Sequence, residues 1–381
     1  MDPYHPEENN RNNPGRSHGW NQFLAHNIPS QYDWALFVLQ SAHLHGAGTL
    51  CYGPLMLHPS NYPSLHHSWN TQASSPIEPN HTPIQVLPLS TMKDKDAHKA
   101  FFRLILSYDE LVSNGFVYID NLTRRIDVHA IKQQWNNWCA PGDPTRVCVR
   151  CSAVFSVHFP DGVCRYHVQK RGCCGQVAPC AVATTHVHNI SDRNELLHFV
   201  KTPKESHRSR RNGGDGRSKK VYALDTEMIY TTKGLEVARV TLVDARKKTV
   251  ADVFVKPKER ITDLNTQFSG IQEGYLAGAN TLEEVRGKLL KHINENTILI
   301  GHHISNDLRV LKIVHDRVVD TAVLFKRDNG TFPQLRELAQ KYLNKTIHEE
   351  VEGHDSAQDA RTCIELVSQC WHQLIAHHQA V

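Results

Sequence analysis

Asp225 and Glu227 stand two residues apart at the end of the apolar run Val221-Tyr222-Ala223-Leu224. A short apolar run of this kind reads as a buried strand. Strand side chains alternate faces, so positions i and i+2 point the same way. Two carboxylates on one face beside apolar neighbours repel each other and lose hydration. Hard divalent cations relieve this, because Mg2+ and Mn2+ prefer oxygen ligands. A lone Asp-x-Glu is usually just a solvated strand end, so the pair gains meaning only from acids further along the chain.

A third acid, Asp307, follows the run Thr297 to Ile300, which reads as another strand broken by Gly301. A helix is expected near Ser305, a favourable N-cap residue, with Asp307 in its first turn. The segment Gly353-His354-Asp355-Ser356-Ala357-Gln358-Asp359 adds a histidine and a fourth acid. Asp355 and Gln358 have the form of a capping box, which places His354 just before a helix and Asp359 one turn inside it. The rigid position suits a metal ligand and the looser one suits a proton carrier. Four such carboxylates can hold two Mg2+ or Mn2+ ions at roughly 3.5–4 Å, one serving the attacking water and one the leaving oxygen. His354, with an ordinary pKa near about 6.5, can take the water's proton at neutral pH.

The order Asp-x-Glu, Asp, His-x4-Asp resembles the DEDD exonuclease superfamily in its histidine-bearing DEDDh branch. Three segments narrow the resemblance: Ala223-Leu224-Asp225-Thr226-Glu227-Met228, Ile261-Thr262-Asp263-Leu264-Asn265-Thr266-Gln267-Phe268-Ser269-Gly270-Ile271 and His354-Asp355-Ser356-Ala357-Gln358-Asp359-Ala360. They are similar to the Rex-type eukaryotic RNA exonucleases, the group that includes the GOR antigen. The similarity covers about residues 219 to 375, and all five functional positions match. It implies an RNase H-like fold and hydrolysis of single-stranded RNA from the 3′ end to nucleoside 5′-monophosphates, in RNA trimming or processing. It implies Asp225, Glu227, Asp307, His354 and Asp359 as catalytic residues, the four acids holding two Mg2+ or Mn2+. It also implies that Met228 packs on the terminal base, although Met228 reads equally well as a core residue. The five-residue pattern does not separate RNA from DNA. A DNA 3′→5′ exonuclease of the same superfamily, or a catalytically silent scaffold binding RNA or protein, stays open.

The elements that must position these residues read as α/β. Strands are expected over 237–243 and 250–255, and helices over 282–293, 333–342 and 357–376. Pro333 would occupy a first helical position. Strands followed by interleaved helices suggest a mixed sheet flanked by helices, with the acids beyond the carboxyl ends of its strands. His302 and His303 follow a strand and imidazole could join the site, but they read as structural or as supports for the ligands; Asp320 reads as a turn cap rather than a metal ligand.

Six of the ten cysteines lie between 148 and 180, in the order Cys148-x2-Cys151-x12-Cys164-x2-His167-x5-Cys173-Cys174-x5-Cys180-x5-His186. Eight ligands of this kind suit two tetrahedral Zn2+ sites, with His188 as a substitute for His186 and one site more secure than two. The spacing is similar to the CHORD module and to the segment preceding the exonuclease domain in the Rex-type group. Disulfides are the alternative. Against them stand the lack of an apolar leader at the start and the awkward adjacency of Cys173 and Cys174. A segment with so little hydrophobic periodicity is expected to need metal to fold, and it offers a surface for RNA or a protein partner.

The 381 residues thus divide into a largely disordered region over 1–90, rich in Asn, Pro, Ser and His, and a short helical segment over 91–143. The zinc module spans 144–200, a flexible basic Gly-rich linker 201–219, and the exonuclease domain 220–381. Within the first region, Tyr32 to Gln40 reads as a docking motif, a short helix or a partly buried turn. In the second, helices are expected over 96–106, 108–114 and 131–138. The net charge of +4 says little about partners, but Lys204, Arg208, Arg210, Arg211, Arg217, Lys219 and Lys220 crowd into the stretch Lys201 to Lys220. Such a stretch suits phosphate contact or nuclear import, so residence in the nucleus, including the nucleolus, is expected. A solvated tether is the plainer reading. No apolar run is long enough to span a membrane.

Overall fold

Eleven residues, Val221–Thr231, form the central strand of a mixed sheet in the computed structural model, which describes residues 88–119, 138–168, 174–205, 214–348 and 353–378. One neighbour is the antiparallel strand Gly234–Asp244, followed by Thr249–Phe254. On the other side Ile298–Gly301 and Val318–Asp320 add in parallel. Ile261–Asp263 pairs antiparallel with the far end of the central strand. Parallel strands covered on both faces carry continuous apolar runs, and Ile298, Leu299 and Ile300 are all fully buried.

The closing helix, Ser356–His378, packs across the central strands through Ala360, Cys363, Ile364 and Val367. Its first residue is tied to the sheet, because Ser356 Oγ lies 2.7 Å from Thr241 Oγ1, and Thr241 is the register partner of Asp225. The Ile304–Leu311 helix also packs on the central strands. The expected helix over 282–293 is Leu282–Leu289, opened by a reciprocal Thr281–Glu284 box. Pro333 does not begin its helix. Gln334 caps Leu335–Leu338 instead, and a π-helical turn, Ala339–Leu343, follows.

The segment before the cysteines joins the same core. Asp94–Phe101 is a helix and Phe102–Leu104 a 3-10 turn, so the run expected over 96–106 tightens at its end. Phe101 and Leu104 are fully buried against sheet residues. Leu106 N–H donates to Val318 O at 2.9 Å. The Tyr108–Ser113 helix follows, with Gly115 at φ +82° beyond it. The helix expected over 131–138 lies outside the described residues except for Trp138, which belongs to a two-residue strand. The disordered region expected over 1–90, with Tyr32 to Gln40, lies outside them up to residue 87.

The basic stretch is not a free tether at its two ends. Val200–Lys201 pairs with Ile313–Val314, and Lys201 meets Asp316 at 2.7 Å. Arg217 is held by Asp215 and by Leu290 O, each within 2.7 Å, and Lys220 pairs with Asp94. The rest of the expected linker, 206–213, lies outside the described residues. None of the described helices is long and apolar enough to cross a membrane.

Candidate active site

Asp225 and Glu227 come from one strand, as the alternation of side chains requires. Glu227 is 5% exposed, and among the described residues its Oε1 has no hydrogen-bond partner. Burial, then the charges of Asp307, Asp359 and Glu227, push the Asp225 pKa well above the usual carboxylate range. Burial, then Asp359, drives Glu227 up to about 9, although the Arg239 guanidinium pulls the other way. Arg239 is the register partner of Glu227. It is anchored by Asp252 at 2.8 Å and Asp355 at 3.0 Å.

Asp307 sits in the first turn of the Ile304–Leu311 helix, buried, and accepts from Thr226 Oγ1 at 2.6 Å. Burial raises its pKa to about 7. The helix begins earlier than the expected Ser305 cap. His303 is the cap, in the left-handed region at φ +56°. The reason is Asp320. Its carboxylate accepts from His303 N–H at 2.9 Å and Ile304 N–H at 3.1 Å, satisfying donors that a helix start leaves unpaired. Asp320 also accepts from Ala322 N–H at 2.9 Å, so it is the turn cap expected. His302 donates to or accepts from Thr321 Oγ1 at 2.9 Å, and burial lowers its pKa to about 3. Both residues serve the scaffold.

Asp359 lies in the first turn of the closing helix. Asp355 caps that helix by accepting from Ala357 N–H at 3.2 Å, one residue earlier than a capping box would use. His354 Nδ1 lies 3.8 Å from Asp359 Oδ2, and its side chain is 39% exposed. Burial, then the neighbouring His348, lowers the His354 pKa. Its backbone rests on the Ile261–Ile271 segment, since His354 N–H donates to Phe268 O at 2.8 Å. Gly353, at φ +99°, faces the backbone of Gly270 so closely that a side chain there would collide with it. Met228 is half-buried and packs against the main core.

His348 is the residue that sequence reasoning missed. Its Nε2 lies 2.8 Å from both Asp359 oxygens. Its ring stacks on His354 with centroids 3.8 Å apart. His348, His354 and Asp359 offer donor atoms all within 4.8 Å of one another. The spacing His-x5-His-x4-Asp was the available signal, hidden among 26 histidines.

Four mutually repelling carboxylates, one with a buried oxygen lacking a donor, fit hard divalent cations. The cysteine region fits softer ones. Cys148, Cys151, Cys164 and His186 place their ligand atoms within 4.8 Å of one another, and so do His167, Cys174 and Cys180. Cys173 lies outside the described residues. The Cys148 and Cys164 sulfurs are 3.7 Å apart, well beyond a disulfide bond length, which disfavours the disulfide alternative for this pair. Burial would raise the Cys148 pKa, but the backbone N–H groups of Cys151, Val187 and Arg150 hold it down to about 6. His188 is not part of either group. Its ring lies 3.4 Å from Thr232 O and 3.2 Å from Ile190 N, so both nitrogens are engaged.

Residues 222–367 match the RNase_T family of exonucleases. The chain is 33% identical over 308 residues to RNA exonuclease 3 of Eremothecium gossypii, covering 74% of each chain. It is 41% identical over 255 residues to Exonuclease GOR of Pan troglodytes, covering 60% of this chain and 36% of that one. It spans 18% to 36% of the first three curated relatives. Among solved structures, the Pan2 catalytic unit of Neurospora crassa, a protease and nuclease domain, is similar at 27% identity and a TM-score of 0.39. That match covers 47% of this chain and 30% of that one.

Proposed function

The chain belongs to the Rex-type RNA exonuclease family, and from that membership we propose that it hydrolyses single-stranded RNA in the 3′→5′ direction, releasing nucleoside 5′-monophosphates. The observation that carries the reading is the Glu227 Oε1, buried with no hydrogen-bond partner among the described residues, in a cluster where Asp225, Glu227 and Asp307 all have raised pKa values. A fold that tolerates such repulsion is built to receive cations there. Asp225, Glu227, Asp307 and Asp359 would hold two Mg2+ or Mn2+, which supply charge neutralisation at the attacked phosphate and at the leaving oxygen.

The rest falls to the chain's own residues. His354 takes the proton of the attacking water on its imidazole, and burial lowers its pKa, which favours the neutral form that can accept one. Asp359 orients it from 3.8 Å. His348 stacks on one face of the His354 ring. Met228 and the partly exposed Phe268 offer apolar surface to a terminal base. The cysteine module, carrying one or two Zn2+, is a folding unit and a surface for RNA or protein partners. The basic stretch through Lys220 supports nuclear residence.

Asp225→Ala in the full chain tests this. With 5′-labelled RNA and Mg2+, the wild type should give a stepwise ladder that EDTA abolishes, and the variant should give none. A variant that digests RNA at the wild-type rate would sink the assignment. Parallel assays on single-stranded DNA decide the nucleic acid.

A further inference from the structure

Arg150 stands between two metal-type ligands, in Cys148-Val149-Arg150-Cys151, yet its side chain leaves the cysteine cluster. The backbone around it is tightly held. Cys148 N–H donates to Ala153 O at 2.8 Å, Ser152 N–H to Cys148 O at 2.9 Å, and Val149 N–H to Val187 O at 2.9 Å. From this fixed turn the guanidinium reaches Asp263 Oδ2 at 2.5 Å, with its side chain 11% exposed and that of Asp263 24% exposed. It also reaches Asn265 Oδ1 at 3.4 Å. Tyr166 of the cysteine module and Tyr230 of the central strand flank it, with ring centroids 4.9 and 5.3 Å away. A second bond crosses the same boundary, Thr185 Oγ1 to Thr262 O at 3.0 Å.

Asp263 and Asn265 shape the start of the segment against which the His354 backbone rests. The other Asp263 oxygen accepts from Asn265 N–H at 2.7 Å. That bond holds Asn265 in the left-handed region at φ +55°, where it opens the Thr266–Ser269 turn. Within the turn, Phe268 and Ser269 donate N–H to Asn265 O at 2.8 and 2.9 Å. Phe268 O then accepts from His354 N–H, and Gly270 backs Gly353.

We infer that Arg150 is a positioning residue that couples the cysteine module to His354, through Asp263, Asn265 and the Thr266–Gly270 turn. The inference rests on the proposed role of His354 as proton acceptor. An arginine whose two terminal nitrogens reach different side chains while its plane lies between aromatic rings is poorly replaced by other residues. Removing it leaves Asp263 charged and part-buried without its cation, and frees the turn on which His354 sits. Small displacements at a reacting group are costly in rate, so the module governs turnover at a distance from the phosphate.

The test uses the full chain and the variants Arg150→Met, Arg150→Lys, Asp263→Asn and His354→Ala, with the Arg150→Met/His354→Ala double variant. Arg150→Met should lower kcat by about ten- to a hundredfold while KM stays within about twofold. In the His354→Ala background the same change should cost nothing further, because the group it positions is gone. Backbone hydrogen exchange should quicken over 266–270 and 353–355 but not over Ile298–Gly301. Arg150→Lys should recover part of the rate. Asp263→Asn reads the same bond from its other end should Arg150→Met fail to fold. Wild-type kcat in both single variants, an equal loss with and without His354, or unchanged exchange would overturn the inference. Absence of metal-dependent RNA hydrolysis in the wild type would overturn the functional reading instead, and the exchange experiment would still decide whether the tether exists.

Discussion

The imidazoles of His348 and His354 lie face to face, with centroids 3.8 Å apart and planes within 7° of parallel. His348 Nε2 simultaneously lies 2.8 Å from both oxygens of Asp359. One side chain therefore braces both the proposed proton acceptor and a carboxylate of the proposed metal site. His354→Ala should lower kcat on labelled RNA by about 10²–10⁴, the usual worth of a general base. His348→Ala should cost about tenfold, because it loosens the base without removing it. Equal losses, or no loss at His348, would contradict this division of labour.

The carboxylate cluster predicts an unusual dependence of stability on pH when divalent ions are chelated. Unfolded carboxylates titrate near about 4. In the fold, Asp307 is raised to about 7 and Glu227 to about 9, by burial first and by neighbouring charge second. Between those values the folded chain holds more protons than the unfolded chain. Raising pH strips them at greater cost in the fold, so stability falls through this window. Thermal unfolding in EDTA should show Tm dropping from about pH 5 to about pH 9. Mg2+ should raise Tm most at the alkaline end, where the site is fully charged. A Mg2+ effect that is flat with pH would show that these acids do not bind it.

Much of this site was legible in the sequence because its parts obey short-range rules. Asp225 and Glu227 share a strand face by alternation, and Asp355 and Asp359 fall around a helix start that local capping chemistry marks. The start of the Ile304–Leu311 helix was misplaced for a complementary reason: Asp320, from another strand, supplies its cap. No reading confined to Ser305 and its neighbours could include that carboxylate. His348 and Arg150 were missed on the same ground. Their partners lie across a loop or 113 residues away, where only the folded chain brings them together. The pairing of the cysteines into two interleaved groups, one enclosing the other in sequence, is likewise a property of the fold.

Those two groups should release metal in two stages. Cys148 and Cys164 are buried, whereas Cys174 and Cys180 are exposed. Metal held by thiolates is folding energy, and access by a chelator requires opening. Purified protein should contain two Zn2+ per chain. A chelator should take one quickly, with little change in Tm, and the other only as the protein unfolds. Serine at Cys180 should remove the fast stage, and serine at Cys148 should remove the slow one and lower Tm. A single release phase, or a zinc content near zero in folded protein, would contradict the assignment.

Gly353 offers the cleanest separation of activity from stability. Its φ of +99° is disfavoured for any residue with a Cβ, and a Cβ there would collide with the backbone of Gly270 and meet Thr266 O at 2.8 Å. Backbone cannot rotate away as a side chain can, so Gly353→Ala must lift the His354 loop from the Thr266–Gly270 turn. The φ strain costs on the order of 1–3 kcal/mol. The displacement of His354 should cost about a hundredfold in kcat. Gly278→Ala is the control, because Gly278 has φ +75° with nothing within 4 Å of the added carbon. It should lower Tm by a similar strain and leave kcat at the wild-type value. If the two variants lose activity in equal measure, strain alone explains both, and the seating of His354 on Gly270 is not what sets the rate.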